Sequence, residues 1–226
     1  MTRSAASMEV EGRAVNVPAG RVTLDGDLSV PLHARAVVLF AHGSGSSRFS
    51  SRNKRVASLL HERAFATLLI DLLTPNEEEL DVHTAEFRFD IGRLAERLVG
   101  AAEWLEHETT TAPLPLAIFG ASTGGGAALV AAAERPDRVA AVVSRGGRPD
   151  LAGEALNQVR APTLLIVGGR DEAVLELNRE ALAQLRAPAR LEVIPGATHL
   201  FEEPGALDEV ARHAAAWIEM YAARAT

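Results

Sequence analysis

Leu114-Pro-Leu-Ala-Ile-Phe-Gly-Ala-Ser-Thr-Gly-Gly-Gly-Ala-Ala-Leu-Val-Ala-Ala-Ala-Glu134 passes from a short apolar run through G-x-S-x-G straight into an alanine-rich helical pattern. Ser122 therefore falls on a strand-to-helix turn, the setting of a nucleophile elbow. So sharp a turn admits only small neighbours, which Gly120, Gly124 and Gly125 supply, and it pushes the serine hydroxyl clear of the strand. The amides that follow open a helix N-terminus, where developing negative charge is stabilised.

The chain has 226 residues, 47% of them hydrophobic, enough for one domain spanning residues 1–226 with a single sizeable core. A net charge of −7 and a pI near 5.5 argue against a general nucleic-acid or anionic-membrane surface. The absence of cysteine excludes a thiol nucleophile, a disulfide framework and a cysteine zinc site. Met1–Val10 lacks the apolar core of a signal peptide, and no apolar run approaches bilayer length. The expectation is a soluble cytoplasmic protein.

Residues 8–30 alternate as strands do, and Asp25-Gly26 is a hairpin turn signal, so an antiparallel N-terminal hairpin is expected. From Ala36 onward the pattern changes to continuous apolar runs at 36–41, 66–70, 114–119, 139–143, 163–167 and 190–194. Such runs suit parallel strands buried on both faces. Helical patterns at 52–63, 90–106, 123–134, 172–185 and 204–223 separate most of them. The alternation specifies an α/β fold with a doubly wound, mostly parallel sheet and right-handed crossovers. Residues 74–89, rich in Glu and Asp, read as a long acidic loop or flap, and 145–162 is too short to hold a cap domain.

In a sheet of this kind the ligand crevice lies beyond the carboxyl ends of the strands. Three strand-end loops carry, in chain order, Ser122, Asp171 and His199. A serine hydroxyl needs a base to take its proton, and the base needs a carboxylate to fix its tautomer. With these residues the sequence resembles the α/β-hydrolase superfamily, whose members run nucleophile, acid, histidine. Within it Ala41-His-Gly-Ser-Gly-Ser-Ser-Arg48, Asp71-Leu-Leu-Thr-Pro75, Ser144-Arg-Gly-Gly-Arg148 and Gly168-Gly-Arg-Asp171 resemble the capless, dienelactone-hydrolase-like group. The resemblance covers about residues 36–221 and implies an α/β-hydrolase fold without a cap. One departure is plain: dienelactone hydrolase itself uses a cysteine, and this chain carries Ser122.

The resemblance and the residues together imply a hydrolase of small or medium carboxylic esters or lactones, with an acyl-Ser122 intermediate. Backbone N–H groups of Thr123 and Ser44 are the expected oxyanion donors. Arg48, Arg52, Arg145, Arg148 and Arg170 all lie at strand ends; they serve either ion pairs or an anionic substrate, for which Arg145 and Arg148 are the candidates. His42 reads as structural, and His33, His61, His83, His107 and His213 as solvated surface. No G-x-G-x-x-G, P-loop or zinc-ligand spacing is present, so no cofactor and no metal are expected. The expected partner is a small-molecule ester or lactone, with no nucleic acid and no membrane, for a monomer or homodimer. The rival readings are an acyltransferase with the same triad and a non-catalytic binding module.

Overall fold

A computed structural model of the chain describes residues 10–223. Residues 8 and 9 of the expected hairpin, and the segment before them, lie outside that range. The strands are β1 (Val10–Ala19), β2 (Val22–Pro31), β3 (Ala36–Ala41), β4 (Phe65–Ile70), β5 (Leu116–Ala121), β6 (Val139–Arg145), β7 (Thr163–Gly168) and β8 (Ala189–Ile194). They form one sheet in the order β1-β2-β4-β3-β5-β6-β7-β8. β2 runs antiparallel to β1 and β4, and every other pair is parallel.

The helices are α1 (Ser51–His61), α2 (Pro75–Thr84), α3 (Ile91–His107), α4 (Thr123–Glu134), α5 (Glu172–Leu182) and α6 (Ala206–Tyr221). One core joins β1, β2 and one sheet face to α3 and α4; the other joins the opposite face to α1 and α6. β3, β4, β5 and β7 are buried along their whole length. This burial on both faces explains their continuous apolar sequences. Residues 146–162 hold two 3₁₀ turns joined at Gly153 and no cap domain. Among the described residues no helix is long and apolar enough to cross a membrane.

Three expectations need correction. The hairpin turns at Gly20-Arg21, between the paired Ala19 and Val22, with Gly20 at a φ of 64°. Asp25-Gly26 instead lies within β2. A Cβ on Gly26 would press on the side chains of Ile70, Leu68 and Val15, so close packing rather than a turn explains that glycine. β5 begins two residues later than the apolar run and takes in Gly120 and Ala121, since Pro115 has no N–H for the ladder.

Finally, the acidic stretch is not a loop. Thr74 Oγ1 accepts from the Glu77 amide at 3.3 Å, and Glu77 Oε2 accepts from the Thr74 amide at 2.8 Å, with Pro75 at the first helical position. This capping box starts α2. Leu80 and Val82 remain exposed, so no apolar stripe announces the helix.

What anchors α2 is charge. Glu77 Oε1 pairs with Arg97 at 3.0 Å and Arg93 at 3.2 Å. The buried Asp81 carboxylate accepts from the amides of Phe87 (2.6 Å) and Arg88 (3.0 Å) and pairs with Arg88 Nε at 2.5 Å. Asp81→Asn should therefore lower the stability to urea by about 1.5 to 3 kcal/mol, the range for hydrogen bonds to a charged group. A loss below about 0.5 kcal/mol, that of an ordinary surface change, would mean that α2 is anchored elsewhere.

Candidate active site

β5 delivers Ser122 to the carboxyl edge of the sheet in a backbone state that L-residues rarely occupy, φ 51° and ψ −123°. Such strain persists only where the surroundings over-determine it. Here the Ser122 amide donates to Arg145 O at 3.3 Å, and Ser122 O accepts from Gly125 N at 2.9 Å and Arg148 N at 3.0 Å. The glycines are needed for contact: a Cβ on Gly120 would collide with Gly124 and Gly125, and one on Gly124 with the carbonyls of Ala41 and His42. α4 can thus start hard against the end of β3. On Gly43 a Cβ would stand 2.9 Å from that of Ser122, so the loop after β3 lies directly against the serine.

The loops after β7 and β8 are stitched to each other. Arg170 N donates to Ala197 O at 2.9 Å and Gly169 N to Ile194 O at 2.8 Å. This brings His199 Nδ1 to 2.6 Å from Asp171 Oδ2. Facing a carboxylate, Nδ1 carries the proton, which leaves Nε2 as the acceptor. Gly146, just past β6, lies under the same imidazole: a Cβ there would be 3.5 Å from Nδ1. Ser122 and the Asp171–His199 pair thus flank the short loop after β6. No hydrogen bond joins Ser122 Oγ to His199 among the described residues; in resting sites that contact is often long.

Two positioning residues escaped the sequence reading. Glu203 Oε1 accepts from Thr198 N at 3.0 Å, which fixes the loop carrying His199; hydrogen bonding with the Thr198 side chain, and then with backbone amides, holds the carboxyl below its usual range. The buried Asn178 donates to Gly147 O at 3.0 Å and steadies the loop beside Ser122. Asn178 reaches backbone 31 residues away and Glu203 an amide five residues back, and no short motif announces either partner.

The expected oxyanion donors also meet. Thr123 opens α4, where the first amides have no helical carbonyl to bond. Ser44 N donates to Thr123 Oγ1 at 2.9 Å, so that amide is already engaged. The carbonyl of the same peptide unit, Gly43 O, accepts from His42 Nδ1 at 2.9 Å, while His42 Nε2 accepts from Leu72 N at 3.0 Å. Both ring nitrogens of His42 are spent on backbone, which bears out its structural reading. His61 departs from the surface reading: it is partly buried, with Nε2 2.8 Å from Thr67 Oγ1.

The strand-end arginines divide. Arg48 pairs with Asp71 and lies near Asp25 and Asp27. Arg148 is bound through two nitrogens by Asp150, at 2.8 and 2.7 Å, which raises its pKa and leaves it poorly placed for a substrate carboxylate. Arg145 differs, being 7% exposed with no carboxylate within 4 Å among the described residues. Its pKa is pushed down to about 10, chiefly by burial and further by Arg52. Leaving a buried charge without an ionic partner typically costs about 3 to 5 kcal/mol.

A lidless, mostly parallel α/β sheet with a serine on a strained strand-to-helix turn defines an α/β serine hydrolase fold. The chain belongs to the dienelactone hydrolase family, whose sequence model matches residues 24–223. It is similar to a crystal structure of dienelactone hydrolase from Anabaena variabilis, with 60% identity and a TM-score of 0.92 over 94% of this chain and 99% of the other. A Xanthomonas campestris α/β serine hydrolase without a lid shares the fold at 23% identity and a TM-score of 0.68, over 90% of this chain and 94% of the other. A Mycobacterium tuberculosis protein carrying a provisional phosphoribosyl transferase name is 56% identical over 214 residues, 95% of this chain. The chain spans about half, 47%, of that protein's length. Family and fold support a hydrolase.

Burial pushes the pKa of His42 below its ordinary 6.5, although its bond to Gly43 acts in the opposite sense. Below pH 6.5 the unfolded chain therefore takes up a proton that the native His42 refuses. Stability should fall as pH drops, by at most about 1.4 kcal/mol per pH unit for this one group. His42→Gln should flatten that slope, leaving the part owed to His61, whose pKa burial also lowers. Urea midpoints between pH 7.5 and 5 measure it; equal slopes in both proteins would show that native His42 accepts the proton.

Proposed function

We propose that the protein is a serine hydrolase of carboxylic esters or lactones, with Ser122 as nucleophile, His199 as base and then acid, and Asp171 orienting His199. The observation that carries this reading is the strained backbone of Ser122 at the head of α4, across the β6 loop from an Asp171–His199 pair 2.6 Å apart. A serine held so is what acyl transfer requires.

In the first step His199 Nε2 takes the Ser122 proton as Oγ attacks the carbonyl. The oxyanion is received by the free Thr123 amide, joined by the Ser44 amide when the Thr123 hydroxyl turns away. Collapse expels the alcohol, which leaves with the proton from His199. Water, deprotonated by the same histidine, then attacks the acyl-serine and regenerates Ser122 Oγ–H. With no cap over the site, short and medium acyl chains should be preferred to long ones, for which no apolar cover exists. The phosphoribosyl transferase name is not extended to this chain, which matches about half of the protein that bears it.

A panel of p-nitrophenyl esters and lactones tests the reading. Ser122→Ala should lose at least about four orders of magnitude in kcat/KM, because members of such a triad act as a unit. A fluorophosphonate should label Ser122 and no other serine. Esterase activity surviving in Ser122→Ala, or label on Ser44 or Ser46, would overturn the assignment.

A further inference from the structure

Arg145 ends β6 with its side chain toward α1 and α6. Nη2 donates to Asn53 Oδ1 at 3.3 Å, the side chain's one hydrogen bond among the described residues, while Nε and Nη1 are buried without a partner among them. The guanidinium carbon stands 5.8 Å from the centre of the Phe201 ring. Arg52, one residue before Asn53, is the charged neighbour that repels it. Its own Nε is likewise buried and unpartnered, and its ionic contact is Glu202, exposed and 3.9 Å away.

Both guanidinium groups gather at the N-terminus of α1, an eleven-residue helix with no acidic residue in its first turn. Ser50 Oγ caps the Asn53 amide, and the amides of Ser51 and Arg52 have no helical carbonyl to bond. Two mutually repelling cations, one of them nine-tenths buried, thus meet a helix N-terminus with two amides left over by its serine cap, and the ionic partner found there among the described residues is the exposed Glu202, 3.9 Å from Arg52; an anion would complete the arrangement. Buried polar groups left unpaired call for such an explanation.

The place is next to the chemistry. Arg145 O accepts from the Ser122 amide, and the edge of the Phe201 ring lies against Gly146 beside His199 Nδ1.

Resting on the hydrolase reading for its link to catalysis, we infer that Arg145, Arg52 and the first turn of α1 bind a phosphate monoester group carried by the substrate. The charge favours phosphate over carboxylate. Two guanidinium groups and the positive end of a helix match a dianion, whereas one carboxylate would leave a positive charge buried. Donors arriving from two elements in different directions suit three tetrahedral oxygens better than one planar pair.

Thermal melts of the whole chain at constant ionic strength, with inorganic phosphate, acetate or chloride added, read the site without using catalysis. In the wild type, phosphate at ten times its Kd should raise Tm by about 3 to 6 °C, and acetate should do far less. Arg145→Met removes the buried charge at similar length; it should melt above the wild type in chloride and gain nothing from phosphate. If that variant does not fold, Arg52→Gln, at a more exposed position, should weaken the phosphate Kd at least tenfold. Ser122→Ala should respond as the wild type does, so failure of the hydrolase reading would leave the binding result standing. Equal shifts with acetate and phosphate would overturn the phosphate assignment. No shift with either, or an unchanged phosphate response in both arginine variants, would overturn the site.

Discussion

The rest of the molecule is arranged around a steric constraint: a strand that must become a helix within one residue. Ser122 takes a left-handed φ that costs of order 1 to 3 kcal/mol, and it keeps it because its peptide groups are tied to the loop after β6. The same turn folds the head of α4 so closely onto the end of β5 and the end of β3 that glycine is required at 120 for the first contact and at 124 for the second. Parallel strands buried on both faces provide a frame stiff enough to hold that strain. The exposure of Ser122 and the packing are therefore one problem. Relaxing the turn would withdraw the serine and open the sheet at once.

The parts that could be read from sequence are those whose physics is local or periodic. Burial on two faces writes continuous apolar runs, so the strands from 36 to 194 stood out, and the order Ser122, Asp171, His199 at their ends followed. The acidic helix α2 was hidden because its anchors are ion pairs and one buried carboxylate, which leave no apolar stripe. Its start was nonetheless legible as Thr74-Pro-Asn-Glu77, a capping box with proline at the first position. Asp25-Gly26 misled for a related reason. Glycine is demanded both by tight turns and by close packing, and only the register with Val15 and Ile70 tells the two apart.

Charge was legible in kind but not in partnership. Arginines at strand ends are visible in the sequence, yet their fates diverge with distances that the sequence does not contain. Arg48 and Arg148 each reach a carboxylate, so their charge is neutralised within the fold. Among the described residues Arg145 reaches a neutral amide oxygen and an aromatic ring but no carboxylate. In a chain of net charge −7 this is selective placement, since acids were abundant and none was set beside it.

The two histidines at the carboxyl edge show how partners, rather than residue type, settle a role. His42 and His199 each follow a strand and each have one nitrogen fixed by an oxygen. For His42 that oxygen is a peptide carbonyl and the other nitrogen is taken by the Leu72 amide, so no lone pair remains for chemistry. The ring instead orients the Gly43–Ser44 peptide, whose amide lies at the mouth of the serine turn. For His199 the oxygen is the carboxylate of Asp171, and the side chain remains 39% exposed. The carboxylate of Asp171 fixes the tautomer of His199, whereas at His42 burial disfavours the imidazolium. One histidine is thereby confined to holding backbone, and the other has a ring nitrogen that no backbone group among the described residues takes.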